Sequence, residues 1–168
     1  VSLAQGIDST YDGDATHRDK AIAYTYDDTN GNVMQKTEYG EVVGSDEGSF
    51  NDVGNDNFVT NYNYATSGSS FQFLVASVNT TDQSSNKVKE TKIYYDNLPF
   101  GKLSKGNLTK QENWKNAPSA GSGQEAEYVN AQKNYNSYGL VTDSTDSNGN
   151  TTRYAYDNFN LYPISITN

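Results

Sequence analysis

The chain has 168 residues, of which 33% are hydrophobic, and its mean hydropathy of −0.85 is thin for a compact globule of that length. Twenty-one acidic against twelve basic residues give a formal charge of −9, which argues against nucleic acid and anionic membrane surfaces as partners. No apolar run approaches the roughly 18 residues that suggest a membrane span, no signal peptide stands at Val1, and the chain contains no cysteine for disulfide or thiol chemistry.

In chain order, Val1 to Lys20 is rich in Asp, Gly and Ser and is expected to be an irregular polar lead-in. The remainder, residues 21–168, is expected to be a continuous β-sheet region. Tyr24 to Val43 reads as a first strand pair turning at Asn30-Gly31, with Val33, Met34 and Val42 on its apolar face. Gly44 to Asn57 is acidic and reads as a long loop. Phe58 to Tyr64, Phe71 to Thr80 and Asn86 to Tyr95 alternate as strands do, for example Phe71, Phe73 and Val75 on one face. Gly101 to Trp114 continues the sheet, and Trp114 is expected to cover a sheet end. Ala117 to Gln124 reads as a flexible connection that splits the sheet region. Glu125 to Asn168 is the most regular part. Helical periodicity is nearly absent, while Asn, Ser, Thr, Asp and Gly favour turns, so the fold class is all-β, a strip of antiparallel hairpins.

One pattern recurs along this strip. Three copies of a tyrosine doublet closed by aspartate stand at Tyr24-Thr25-Tyr26-Asp27, Ile93-Tyr94-Tyr95-Asp96 and Tyr154-Ala155-Tyr156-Asp157. Looser copies lie at Tyr62-Asn63-Tyr64-Ala65 and Lys133-Asn134-Tyr135-Asn136. Alternate residues of a strand share a face, so paired tyrosines such as Tyr24 and Tyr26 line one side. Gly31 and Gly139 follow two copies, Gly101 follows the third, and Gly149 precedes the last; glycine allows the positive φ that joins antiparallel strands tightly.

These residues resemble the RHS or YD-repeat family, whose unit runs Tyr-x-Tyr-Asp, a short turn with Gly, then more strand. Asp143 to Asp157 is similar to the family's Asp-x-x-Gly-Asn-x-Thr-x-Tyr-x-Tyr-Asp almost position by position, and Ile93 to Thr109 resembles a variant unit. Ala65 and Asn136 stand where the signature has Asp, and Asn160 where glycine is usual. The resemblance extends from about Tyr24 to the C-terminus. It implies a segment of wall from a spiralling β-sheet that, in bacterial polymorphic toxins and insecticidal toxin complexes, closes as a container around an effector; the animal teneurins use a similar barrel for adhesion. The expected partners are therefore neighbouring repeats of a longer chain or other copies of this one, with an encapsulated effector. The expected setting is secreted or at a bacterial surface, and the missing initiator Met points to a processed or excised piece.

No constellation suggests catalysis, and neither a cofactor nor a metal is expected. The lone His17 lies in the polar head beside Arg18 and Asp19 and is expected to be a solvated surface residue. Asp146-x-Asn148-Gly149 has the look of a calcium loop, but Ser144 and Ala155 occupy its outer ligand places, so a repeat turn is the expectation. Asp12-Gly13-Asp14 and Asp52 to Asp56 are read as solvated acidic loops, and Asp27, Asp96 and Asp157 as turn-formers. Asn79, Asn107 and Asn150 satisfy the glycosylation pattern by the abundance of Asn and Thr. An alternative reading makes the tyrosines, with the acidic loops, a surface for binding a glycan or another surface partner, or the whole a self-assembling structural protein.

Overall fold

A computed structural model describes residues 3–11, 13, 17–44, 48–67, 73–116 and 127–168. Every regular element in it is a strand: β1 (Gln5–Tyr11), β2 (His17–Tyr26), β3 (Val33–Gly44), β4 (Phe50–Asp52), β5 (Phe58–Tyr64), β6 (Val75–Asp82), β7 (Lys87–Tyr95), β8 (Leu108–Asn116), β9 (Glu127–Tyr135), β10 (Val141–Thr145), β11 (Thr151–Tyr156) and β12 (Pro163–Thr167). They form one open sheet in sequential order from β1 to β12, with only β4 off the path, pairing β3. The protein is all-β and antiparallel throughout its strand pairs.

The chain divides into two compact units, Val1–Asn63 with Val78–Glu90, and Tyr64–Ser77 with Thr91–Asn168. In the first, β2 pairs β3 through two bulges, and Ala21 and Val42 are buried. Met34, expected beside Val42, is instead exposed. In the second, the core is a small cluster of Ala65, Ala76, Tyr95 and Leu103, backed by Leu74, Ile93 and Leu108. So slight a core suits the low hydrophobic content. Much of the remaining cohesion comes from polar cross-strand pairs, such as Thr145 Oγ1 to Thr151 Oγ1 at 2.8 Å and Thr91 Oγ1 donating to Asn113 Oδ1 at 3.0 Å, each worth about 0.2–1 kcal/mol.

Several expectations are corrected. Within the expected irregular lead-in, Gln5–Tyr11 and residues 17–20 are strand: β1 pairs β2 in unbroken register from Gln5↔Ala23 to Tyr11↔His17, because ladder bonding needs backbone groups and not apolar side chains. The acidic stretch after Gly44 contains β4, which pairs the end of the long β3, and the Phe50 ring meets Tyr39 edge-on at 4.9 Å. Of the strand expected from Phe71, Phe71 itself lies outside the described residues, Phe73 is exposed and precedes the strand, and β6 begins at Val75. Strand β8 begins only at Leu108; the residues from Asn97 to Asn107 form a loop that folds back on Asp96, as described below. The 117–124 connection, the His17 side chain, Asp12 and Asp14 lie outside what the structure describes.

Candidate functional site

Four tyrosines that close strands share one geometry. Tyr26, Tyr95, Tyr135 and Tyr156 are each the last residue of a strand. Their hydroxyls donate to the backbone carbonyls of Leu3 (2.6 Å), Val75 (2.8 Å), Leu108 (2.7 Å) and Val141 (2.9 Å) respectively. In the last three cases the acceptor is the first residue of the preceding strand. In the C-terminal unit the bonds form a relay. Tyr95 pairs in the ladder with Leu108, whose carbonyl accepts from Tyr135. Tyr135 in turn pairs with Val141, whose carbonyl accepts from Tyr156. Tyr156 pairs with Pro163 at the start of β12. Each ring thus ties a hairpin to the strand before it. Burial raises the pKa of Tyr95, and burial together with the Asp96 charge raises that of Tyr135.

The residue after each of these tyrosines builds the turn. Asp27 Oδ1 accepts the Thr29 N–H at 2.7 Å together with its hydroxyl. Asp157 Oδ1 accepts the N–H groups of Leu161 and Tyr162 at 2.8 and 3.3 Å. Asn136 does an aspartate's work with Oδ1, accepting from Tyr138 and Leu140 at 3.0 Å each, and its amide donates to Asn160 Oδ1 at 3.1 Å. The departure at Asn160 is explained by its φ of 54°, a conformation Asn tolerates. Ala65 departs for another reason: its side chain is in the core, where a carboxylate would be stranded.

Asp96 is the most heavily bonded of these groups. It and Asn97 have φ of 56° and 57°, and the Leu98 N–H bonds back to the Tyr95 carbonyl at 2.9 Å, a type I′ turn. The loop then returns so that Asp96 Oδ2 accepts from Ser104, Lys105 and Gly106 at 2.7, 2.8 and 2.9 Å, and Oδ1 from Asn107 at 3.0 Å. Burial pushes its pKa up, but the four N–H groups outweigh that and hold the carboxyl below its ordinary value. The loop is pinned through Leu103, only 4% exposed, and through the Thr66 N–H on the Gly101 carbonyl at 2.8 Å. A cleft of about 440 Å³ lies beside it, lined by Asp96, Leu98, Lys105, Asn107, Tyr135 and Asn136 among others.

Sequence reasoning singled out these motif residues but missed Asp82. Its turn matches that of Asp146 bond for bond. Asp82 Oδ1 accepts from the Ser84 and Asn86 N–H groups at 2.9 Å and Oδ2 from the Asn86 amide at 3.0 Å. Asp146 accepts from Asn148, Asn150 and the Asn150 amide, all at 2.9 Å. In both, the Asn side chain is the first cause of a lowered carboxyl pKa. The signal was present as Asp-x-x-x-Asn, obscured by Ser85 at the glycine position. Both Asp146 oxygens serve the turn. In the other acidic loop, Asp52 Oδ2 accepts from the Asn57 amide at 2.8 Å and Asp56 Oδ2 from the Glu41 N–H at 3.1 Å.

The other motif tyrosines lie within strands, and the motif glycines lie in the connections between them. Tyr24 lies 6.3 Å from Tyr26, ring to ring. Tyr62 and Tyr64 are half-buried in β5. Tyr94 donates to Glu112 Oε2 at 2.8 Å, with Lys110 Nζ 4.1 Å above its ring and Phe100 edge-on at 5.5 Å. Tyr154 pairs Ile166 in the ladder. Gly31, Gly101, Gly139 and Gly149 all have positive φ. Trp114 lies within β8, opposite Tyr128 of β9, whose ring carries Lys92 Nζ at 4.4 Å. Among the described residues no helix is long and apolar enough to cross a membrane.

The arrangement holds strands together, and its acids are consumed by turns. The RHS Repeat family model matches residues 135–168, the stretch from the second relay tyrosine, Tyr135, through β12. No curated protein matches the chain. Tyrosine-closed hairpins with aspartate turns accompany that match, so residues 135–168 are similar to RHS repeats and the repeat they form is a structural module.

Proposed function

We propose that the chain is a length of wall in a larger secreted or surface-exposed bacterial container, one that encloses a toxin or effector domain and performs no catalysis of its own. The observation that carries this reading is the relay from Tyr95 through Tyr135 to Tyr156. It is a connection rule that each hairpin hands to the next, which is what a long spiralling sheet requires. The sequential strand order and the slight core agree with a wall that packs against neighbours more than upon itself. An antibody raised against the fragment, used to blot producing cells and their medium, tests the proposal. A band many times larger than 18.5 kDa is expected. A band at the fragment's own size would overturn it in favour of a short independent module.

A second reading, a glycan-binding sheet face, draws on the row formed by Tyr94, Lys110, Glu112, Lys92, Tyr128 and Trp114 on one side of β7, β8 and β9. Rings interleaved with hydrogen-bonding groups suit sugar stacking. Trp114 is the single tryptophan, so titration with oligosaccharides should shift its fluorescence if this reading holds. A wall strip would leave it unchanged.

A further inference from the structure

We propose that the cleft between the Asp96 loop and the Asn136 turn binds a neutral, hydroxyl-rich ligand, the end of a sugar chain. The cleft belongs neither to the wall reading nor to the row from Tyr94 to Trp114. It lies inside the strand order, at the ends of β7 and β9, where β7 pairs β8, β8 pairs β9 and β9 pairs β10. Trp114 stands six residues along β8 from Leu108, roughly 20 Å away.

Here the repeat departs from its own plan. After Tyr26, Tyr135 and Tyr156 the next strand opens six or seven residues on, at Val33, Val141 and Pro163, but after Tyr95 it opens only at Leu108, thirteen residues on. A unit that lengthens its loop on a repeating scaffold is where such arrays carry binding groups. The added length is held in place. Asp96 gathers four N–H groups from residues 104–107, and the Leu103 side chain sits in the core. The Leu103 N–H reaches the Thr66 carbonyl at 3.3 Å, and Lys102 Nζ donates to Thr66 Oγ1 at 3.2 Å. A loop so fixed presents its side chains to a ligand without the cost of ordering the backbone.

The lining determines what fits. Asn97, Ser104, Lys105 and Asn107 of the loop line the cleft with Ser137 of the turn, and none of these five side chains is bonded to another described residue. Two amides, two hydroxyls and an ammonium supply donors and acceptors together, as a run of ligand hydroxyls requires. Leu98 and Tyr135 add apolar surface for the C–H face of a sugar ring. Charge argues against simple ions. Among the described lining residues Lys105 is the one cation and Asp96 the one anion, so an anion meets the carboxylate and a cation meets the ammonium. The volume of about 440 Å³ falls in the small-ligand range of about 300–1,000 Å³. At Asn107 the loop and the turn come together: a Cβ added to Gly139 would lie 3.7 Å from Asn107 Oδ1, so the bare glycine leaves that amide its room.

An array of neutral, anionic and amino oligosaccharides is screened with the whole 168-residue chain, and the best neutral binder is followed by titration calorimetry. Binding of a neutral oligosaccharide is expected. It should be about tenfold weaker in Ser104→Ala with Asn107→Ala, which removes two hydrogen-bonding groups and leaves the backbone bonds to Asp96 in place. Ser137→Phe, which fills the cleft from the exposed turn, is expected to abolish it. Circular dichroism checks that both variants stay folded. Trp114 fluorescence should not move on binding, and the affinity should be indifferent to salt. The absence of any neutral binder, or binding that both variants leave intact, would overturn the proposal. So would a preference for anionic sugars that is lost at high salt and in Lys105→Met. A Trp114 shift with the cleft variants still binding assigns the sugar to the β7–β9 face and overturns the cleft. Failure here leaves the wall reading standing, because the blot tests that separately.

Discussion

At the scale of single residues the molecule depends on a few polar groups that do the work a large core would do elsewhere. Tyr95 is 5% exposed and its hydroxyl donates to the Val75 carbonyl. Tyr95→Phe should therefore cost about 1 kcal/mol in urea unfolding, the net worth of one buried hydrogen bond. Because burial raises its pKa, the stability it contributes is fully present below the unfolded value of about 10 and is lost as pH rises through the folded value. Alkaline unfolding should accordingly be shallower in Tyr95→Phe. Asp96 behaves in the opposite sense. Its lowered pKa contributes stability above the unfolded value of about 4, lost as the pH falls through the folded value. Asp96→Asn keeps one acceptor oxygen but not the charge, and should cost about 2 kcal/mol at pH 7 while flattening the fall in melting temperature between neutral and acid pH. Ala65→Asp would place a carboxylate among Ala76, Tyr95 and Leu103 and should destabilise by about 3 kcal/mol or more.

At the scale of elements, the hairpins are variations on one turn. Gly149, with φ of 88°, and Ser85, with φ of 64°, hold equivalent places after Asp146 and Asp82. A side chain there is strained by about 1 kcal/mol, less the chain entropy a glycine gives up on folding. Ser85→Gly should thus stabilise by about 0.5 kcal/mol in chemical denaturation, and Gly149→Ala should destabilise by about 1 kcal/mol. This turn was legible in the sequence wherever glycine marked it, as at Asp146 to Asn150, and illegible at Asp82, where serine took the position. Residues 101–107, read as the start of a strand running from Gly101 to Trp114, are loop, and β8 begins at Leu108. The type I′ turn at Asp96-Asn97 and the burial of Leu103 override the local strand preference.

At the scale of the whole molecule, one open sheet carries its charge unevenly: all of the net −9 lies in the unit containing β1. Raising the salt from about 10 to 150 mM, which shortens the screening length from roughly 30 to 8 Å, should raise the melting temperature through relief of repulsion in that unit. Hydrogen exchange should find the amides of β8, β9 and β10, with neighbours on both sides, far more protected than those of β12.

The lack of helical periodicity, the abundance of turn residues and the recurring tyrosine-aspartate motif together determined the all-β class and the hairpin pattern. Alternation, turn chemistry and a tyrosine's need for a hydroxyl partner are local properties, written into neighbouring residues. What only the tertiary structure decided was which carbonyl each tyrosine reaches, that Asp96 gathers four N–H groups from residues eight to eleven positions away, and that the polar N-terminal stretch is a paired strand. Those outcomes depend on strand register and loop closure. They are set by which backbone groups come opposite one another once the sheet has formed, and side-chain pattern does not encode them.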